Sequence, residues 1–143
     1  TQKRLERELR AAGERFRTLT EAIPQMVWNA DADGRVTYFN TRWREYTGLA
    51  QADALDNWWP QVIHPADAPA LTASWRRALS DRAEPFTHEV RVRRAADGAY
   101  RWHLTAVVPL RNPAGAVDQW IGSLSDVHDL KTAEEAVRAS EAR

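Results

Sequence analysis

The 143-residue chain contains no cysteine, one methionine and six glycines, and basic and acidic side chains balance at 20 each. Without cysteine there is no disulfide framework, no thiolate metal site, no cysteine nucleophile and no photochemistry that needs a cysteinyl adduct. Zero formal net charge provides no global field to attract nucleic acid. No apolar run approaches the roughly 18–20 residues of a membrane span, and no signal-peptide pattern opens the sequence. The expectation is a soluble, cytoplasmic module whose parent protein could still be membrane-anchored.

Tryptophan, by contrast, is abundant: seven residues in a chain that is 43% hydrophobic and 28% charged. Each buried indole removes roughly 150–250 Å² from water, enough for a core without metal or disulfide staples. The length suits one domain with appendages.

Charge is unevenly placed, with a basic excess over 1–17 and an acidic excess over 126–143. Leu5, Leu9, Ala12, Phe16, Leu19 and Ile23 recur at alternating steps of four and three, an a/d stripe that Gly13 weakens and Pro24 ends. The stripe reads either as a dimer seam or as one amphipathic helix lying on its own domain. A weaker stripe over Val127, Leu130, Ala133, Val137 and Ser140 predicts a C-terminal helix. Glu6, Leu9, Arg10, Ala11 and Arg15 line up with Glu134, Val137, Arg138, Ala139 and Arg143 at one offset, with four identities, a weak signal in helix-rich composition that, as a true repeat, would make the chain one period of a tandem array. The expected organisation is an N-terminal helix over 1–23, a domain over 24–126 and a linker helix over 127–143.

Between the helices, Met26 to Ala30 and Arg35 to Asn40 flank Asp33-Gly34 as a first hairpin. Asn40 or Thr41 caps a short helix carrying Trp43 and Tyr46, which Gly48 stops. An irregular stretch follows around Trp58-Trp59-Pro60. Asp67 is then expected to N-cap a helix with Leu71, Trp75 and Ala78 on one face. Three strands come last, Phe86 to Arg94, Tyr100 to Arg111 and Val117 to Val127. The pattern predicts an α+β fold, a five-stranded antiparallel sheet with helices over one face.

Two registers compete at Asp97-Gly98. A two-residue turn pairs Val92 with His103 and Val90 with Thr105; a three-residue loop pairs Val92 with Trp102 and Val90 with Leu104. The first turns His103 toward the helices and the second turns Trp102 there.

In order, these pieces resemble the PAS sensor domains, in particular a Trp-rich subgroup common in bacterial histidine kinases. The resemblance rests on Phe16-Arg17-x-Leu19, Trp28-x-x-Asp31-x-x-Gly34, Tyr38-Phe39-Asn40-x-x-Trp43-x-x-Tyr46-Thr47-Gly48 and His64-Pro65-x-Asp67. It continues through Glu89-Val90-Arg91-Val92, Asp97-Gly98-x-Tyr100-Arg101-Trp102 and Trp120-x-Gly122-x-x-x-Asp126-Val127. The hairpin has one extra alanine relative to the usual family pattern, and His128 stands where a threonine is usual.

The resemblance implies a non-enzymatic sensory and relay module of a dimeric, two-component signalling protein, probing a small molecule or the state of a neighbouring domain. Expected pocket residues are Trp28, Trp43, Tyr46, Trp58, Ile63, Leu71, Trp75, Val90, Val92, His103, Thr105, Trp120 and Leu124. Asp126 is the expected relay residue, and Leu5, Leu9, Ala12, Phe16 and Leu19 the dimer seam. Alternatives are a non-covalent flavin sensor of redox state or light, its isoalloxazine enclosed by the tryptophans, and a ligand-free dimerisation spacer. The structural counterpart of the flavin reading is that these rings are themselves the core filling.

The histidines show neither His-x-x-x-His nor His-x-His spacing, so no metal site is expected, and haem is disfavoured unless His88 or His103 points inward. No nucleophile elbow or phosphate-binding glycine loop is present.

Overall fold

The structure, a computed structural model, describes residues 1–22, 24–50, 59–80 and 83–142. Helix α1 (Gln2–Ala22) leads into the hairpin β1 (Met26–Asp31) and β2 (Val36–Phe39). Then come α2 (Thr41–Thr47), α3 (Trp59–Val62), α4 (Ala68–Ser80), the strands β3 (Phe86–Arg93), β4 (Tyr100–Arg111) and β5 (Val117–Asp126), and α5 (His128–Glu141). All sheet pairings are antiparallel, in the order β2-β1-β5-β4-β3. The C-terminal strand β5 is therefore central, and the chain leaves the sheet from its middle. Residues Ile23, Trp58 and Arg143 lie outside the described residues.

Local chemistry sets the element boundaries. Asn40 N-caps α2, its Oδ1 accepting the Trp43 N–H at 3.0 Å and the Val27 N–H at 3.0 Å. Its Nδ2 donates to the carbonyls of Thr20 and Gln25, so one buried amide ties α1, β1 and α2 together. Gly48 ends α2 in the left-handed region (φ 72°), where a side chain is strained. At the last hairpin, Asn112 Oδ1 accepts the N–H groups of Ala114 and Ala116 while Asn112 N–H and carbonyl close the turn.

Two expectations are corrected. Neither proposed register at Asp97-Gly98 occurs: Val90 pairs with His103 and Val92 with Arg101. The extra alanine lengthens the loop, which Arg94 N–H closes onto Ala99 and Gly98 N–H onto Arg94. The strand slips by two residues from the two-residue arrangement, and a slip of two preserves the face. His103 therefore faces the helices and Trp102 the opposite side. Secondly, Asp67 stands at the N-cap position of α4, its carbonyl accepting the Leu71 N–H at 3.3 Å, but its carboxylate is engaged by Arg91. It accepts the N–H of Arg91 at 2.8 Å and the Arg91 guanidinium on both oxygens at 3.0 Å. A bidentate charged donor outcompetes a neutral backbone N–H for the same oxygens.

The core lies between the sheet and helices α2 to α4. Met26, Trp28, Ala30, Phe39, Val62, Ile63, Leu71, Val90, Val92, Val107, Trp120 and Leu124 are buried there. Period-two alternation on β4 and β5 turns His103, Thr105 and Val107, and Trp120, Gly122 and Leu124, to this side.

Candidate functional site

The pocket residues expected from sequence and described by the structure converge on the helix-facing side of the sheet. Trp43 stacks on Phe39 with ring centroids 3.8 Å apart. Trp75 of α4 sets its ring edge-on to Trp28 of β1 at 5.7 Å and to Trp120 of β5 at 5.2 Å. Ile63 reaches the far edge, where it bridges to Val92. Thr105 and Leu124 are cross-strand partners beneath this layer. Trp58 lies outside the described residues.

Gly122 makes the arrangement possible. It pairs with Trp28 across β1 and β5, and a Cβ there would lie 2.0 Å from Trp28 Cε2 and 2.3 Å from its Nε1. The indole thus lies flat over the β5 backbone, a close approach that only glycine permits. An isoalloxazine placed between the sheet and α4 would have to displace these interlocked rings.

His88 and His103 both point to the helix side. Nε2 of His88 is 2.6 Å from Ser74 Oγ, and His103 stands edge-on to Tyr46 at 5.2 Å. Among the described residues no three His, Asp or Glu come together as a metal site.

Beside this packed centre is a polar end. His103 is 1% exposed; its Nδ1 donates to the Arg101 carbonyl at 2.9 Å, which leaves Nε2 as the lone-pair nitrogen. Burial lowers its pKa, keeping the imidazole neutral. Neither His103 Nε2 nor the buried Tyr46 hydroxyl has a hydrogen-bond partner among the described residues. Burial, followed by the nearby Asp126 charge, raises the Tyr46 pKa, so the phenol stays protonated. Two adjoining hollows of about 280 and 350 Å³ meet here, sharing Arg42, Tyr46 and Asp126.

Asp126 closes this end. It is opposite His103 in the register and is the last residue of β5. Its Oδ2 accepts Arg101 Nε at 2.7 Å and its Oδ1 accepts the His128 N–H at 2.9 Å, the first residue of α5. Burial pushes its carboxyl upward, but the hydrogen bonds from Arg101 and His128 outweigh that and hold it below the ordinary range. Arg101 also reaches Asp129 at 3.3 Å. The single Asp expected from sequence is thus half of an ion pair between β4 and β5, and Asp129 extends that pair to α5. Arg101 is two residues before His103 and on the same face, so the register that places His103 also places Arg101.

A second anchor, absent from the sequence reading, lies on the opposite face. The Trp102 carbonyl accepts the Val127 N–H at 2.9 Å, and the Trp102 N–H donates to His128 Nδ1 at 3.2 Å. Its ring carries two cations, Arg91 at 4.9 Å and Lys131 of α5 at 4.6 Å, and Lys131 also bonds Glu89 at 2.6 Å. Through Arg91 this cluster continues to Asp67 at the start of α4. The signal that could have revealed it is the spacing of Glu89, Arg91 and Trp102 on outward strand positions.

The expected seam behaves differently. Leu5 (56%), Leu9 (65%) and Leu19 (65%) are exposed along α1 with Ala12, while Phe16 is half-buried. The end of α1 is tied to the domain, where Thr20 is buried and Glu21 accepts from Tyr38 and the Thr41 N–H. Among the described residues no helix is long and apolar enough to cross a membrane.

Comparison with known proteins agrees with this architecture. A family model described as the PAS fold matches residues 20–132. The uncharacterized protein y4lL of Sinorhizobium fredii is 36% identical over 138 residues, 96% of this chain and 16% of that protein. The peroxide stress-activated histidine kinase mak1 of Schizosaccharomyces pombe is 34% identical over 97% of this chain and 9% of its own length. The chain thus spans less than a fifth of either relative. Among solved structures, an RNA-binding light-oxygen-voltage receptor superposes with a TM-score of 0.70 at 20% identity, covering 92% of this chain and 37% of that one. A sensory box histidine kinase/response regulator from Burkholderia thailandensis gives 0.63 at 24% identity, covering 90% and 95%. With the five-stranded order, the capped α2 and the match over residues 20–132, the chain belongs to the PAS-fold family and is a sensor domain whose relatives include histidine kinases.

Proposed function

We propose that this chain is a non-catalytic sensory and relay module of a larger, cytoplasmic two-component signalling protein, and that it converts a change at the polar end of the sheet into a movement of α5. The observation that carries the reading is Asp126. One carboxylate holds Arg101 in β4 and the first N–H of α5, so a shift of β4 against β5 is felt at the helix start. The Trp102 cluster gives α5 a second hold on the same strand from the other face. Two anchors on one helix end favour a change of helix direction over simple fraying.

The exposed leucines of α1 supply the second half of the proposal. Their heptad spacing suits a second copy of the chain, which would give flanking helices through which a dimer passes the change onward. In the full-length parent, Asp126→Ala is expected to change kinase autophosphorylation while the isolated domain keeps its cooperative unfolding. Regulation identical to wild type in that variant would refute the relay.

A further inference from the structure

The outer face of the sheet joins α4, which covers the core, to α5, which leaves the domain. Four side chains make the connection: Asp67 at the N-cap position of α4, Glu89 and Arg91 on β3, and Lys131 on α5. Asp67 holds the Arg91 guanidinium on both carboxylate oxygens at 3.0 Å, and Glu89 holds Lys131 at 2.6 Å. The Trp102 ring carries both cations, Arg91 at 4.9 Å and Lys131 at 4.6 Å. Lys131 is partly buried and every α5 residue from Thr132 to Glu141 is exposed, so among the described residues Lys131 is the last side chain of α5 that the sheet holds.

Two carboxylates thus divide two cations, and a second division is within reach. Glu89 and Arg91 point outward two residues apart on one strand, a spacing of roughly 7 Å that two long side chains span. Glu89 can therefore serve Arg91 as well as Lys131, and Asp67 decides which it takes. A guanidinium binds a carboxylate through two parallel N–H donors whereas an ammonium is a point charge, so an Arg91 released by Asp67 outcompetes Lys131 for Glu89. The neighbouring charges leave that choice in place. Glu135 and Arg138 act on Lys131 with opposite signs, and Arg93 is roughly 13 Å along the strand from Glu89.

A movement of α4 is what would release Asp67. Leu71 and Trp75 seat that helix on the core, with Trp75 edge-on to Trp28 and Trp120, so a rearrangement of the aromatic centre displaces the helix start. Hydrogen bonds of 2.8–3.0 Å are lost on a shift of about 1 Å.

We propose that Asp67, Arg91, Glu89 and Lys131 form a partner-exchange switch through which the position of α4 sets the hold on α5. With Asp67 engaged, Glu89 secures Lys131; with Asp67 withdrawn, Glu89 turns to Arg91 and α5 loses its hold beyond the first turn. The inference rests on the relay reading above, to which it adds the input side: a two-state element that both helices bias.

Amide exchange of the 143-residue chain tests it. Asp67→Asn keeps the size of the side chain and the backbone bond to the Leu71 N–H but gives up the charge that holds Arg91. It should accelerate exchange of the Lys131 to Glu135 amides about two- to fivefold while β1 and β5 stay protected. Arg91→Gln removes the competitor, so this variant, alone or combined with Asp67→Asn, should leave those amides within about 1.5-fold of wild type. A simple chain of contacts predicts the reverse, with Arg91→Gln as disruptive as Asp67→Asn. Glu89→Gln should accelerate the same amides by itself and make them indifferent to Asp67→Asn. The proposal is overturned by wild-type exchange in Asp67→Asn, by acceleration that persists when Arg91→Gln is added, or by further acceleration when Asp67→Asn is added to Glu89→Gln. Wild-type exchange in Asp67→Asn beside an Asp126→Ala effect on kinase output removes the switch and leaves the relay. The expected exchange pattern with output indifferent to Asp126 removes the relay and leaves the switch.

Discussion

Replacing Gly122 by alanine adds one methyl group at the point where the Trp28 indole crosses β5. Three indole atoms would lie 2.0 to 2.3 Å from the new carbon, against a closest real approach of about 3 Å. Trp28 must therefore retreat by roughly 1 Å, and Trp75 is edge-on in its path, itself held against Trp120. Overpacking of this kind costs about 1–3 kcal/mol. Gly122 does not have positive φ, so alanine is sterically allowed by the backbone and the stiffer unfolded chain returns about 0.4–1 kcal/mol. The net loss is about 1–2 kcal/mol. With a urea slope near 2 kcal/mol/M the unfolding midpoint should fall by about 0.5–1 M at unchanged slope. Adding Trp28→Leu removes the clashing ring, and the double-mutant cycle should then show a favourable coupling of at least about 1 kcal/mol. A single alanine variant within about 0.3 kcal/mol of wild type, or a cycle with no coupling, would refute the claim that glycine is there to admit the indole.

Other predictions concern the electrostatics, the anchors and the core. Glu21, Asp67, Asp97 and Asp126 all have folded pKa values below their ordinary ones, Asp97 held down to about 2 by the Arg94 guanidinium. Their contribution is present above the ordinary carboxylate range and is lost as pH falls through the folded values. Urea midpoints should therefore begin to fall below about pH 6.5, where the unfolded chain protonates a histidine that buried His103 resists, and fall further below about pH 4.5, this second fall less steep for Asp97→Asn; a midpoint that rises on acidification would contradict the assignment. Trp102→Ala removes the platform beneath Lys131, and exchange of the Val127 and Lys131 amides should accelerate about three- to tenfold while β1 and β5 stay protected. Equal exchange in variant and wild type would show that the ring does not hold α5. Light scattering should report a dimer that becomes monomeric when Leu5, Leu9 and Phe16 are replaced by polar residues, and an unchanged mass would remove the seam. Purified protein should be colourless near 370 and 450 nm, approximate flavin bands, because the interlocked indoles occupy the place of the ring.

The strands, the two flanking helices and the caps at Asn40 and Gly48 were legible because they depend on neighbours in the chain: period-two alternation, heptad spacing and turn chemistry. Family membership was legible for the same reason, as a series of short motifs in order. The absence of cysteine excluded disulfide and cysteinyl-adduct chemistry outright. What the sequence left open depends on contacts between distant segments. The register at Asp97-Gly98 followed from the closure of a longer loop, and with it the face on which His103 and Trp102 lie. Asp67 read as a helix cap because local spacing cannot show that Arg91, 24 residues away, offers a stronger donor. Gly122 read as one letter of a motif until Trp28 was laid over it. Tryptophan content indicated a filled core, but only tertiary packing showed which rings interlock and that the His103 Nε2 and the Tyr46 hydroxyl lie together near Asp126. Hydrogen-bond competition, close approach and burial are properties of assembled neighbours, and sequence spacing encodes none of them.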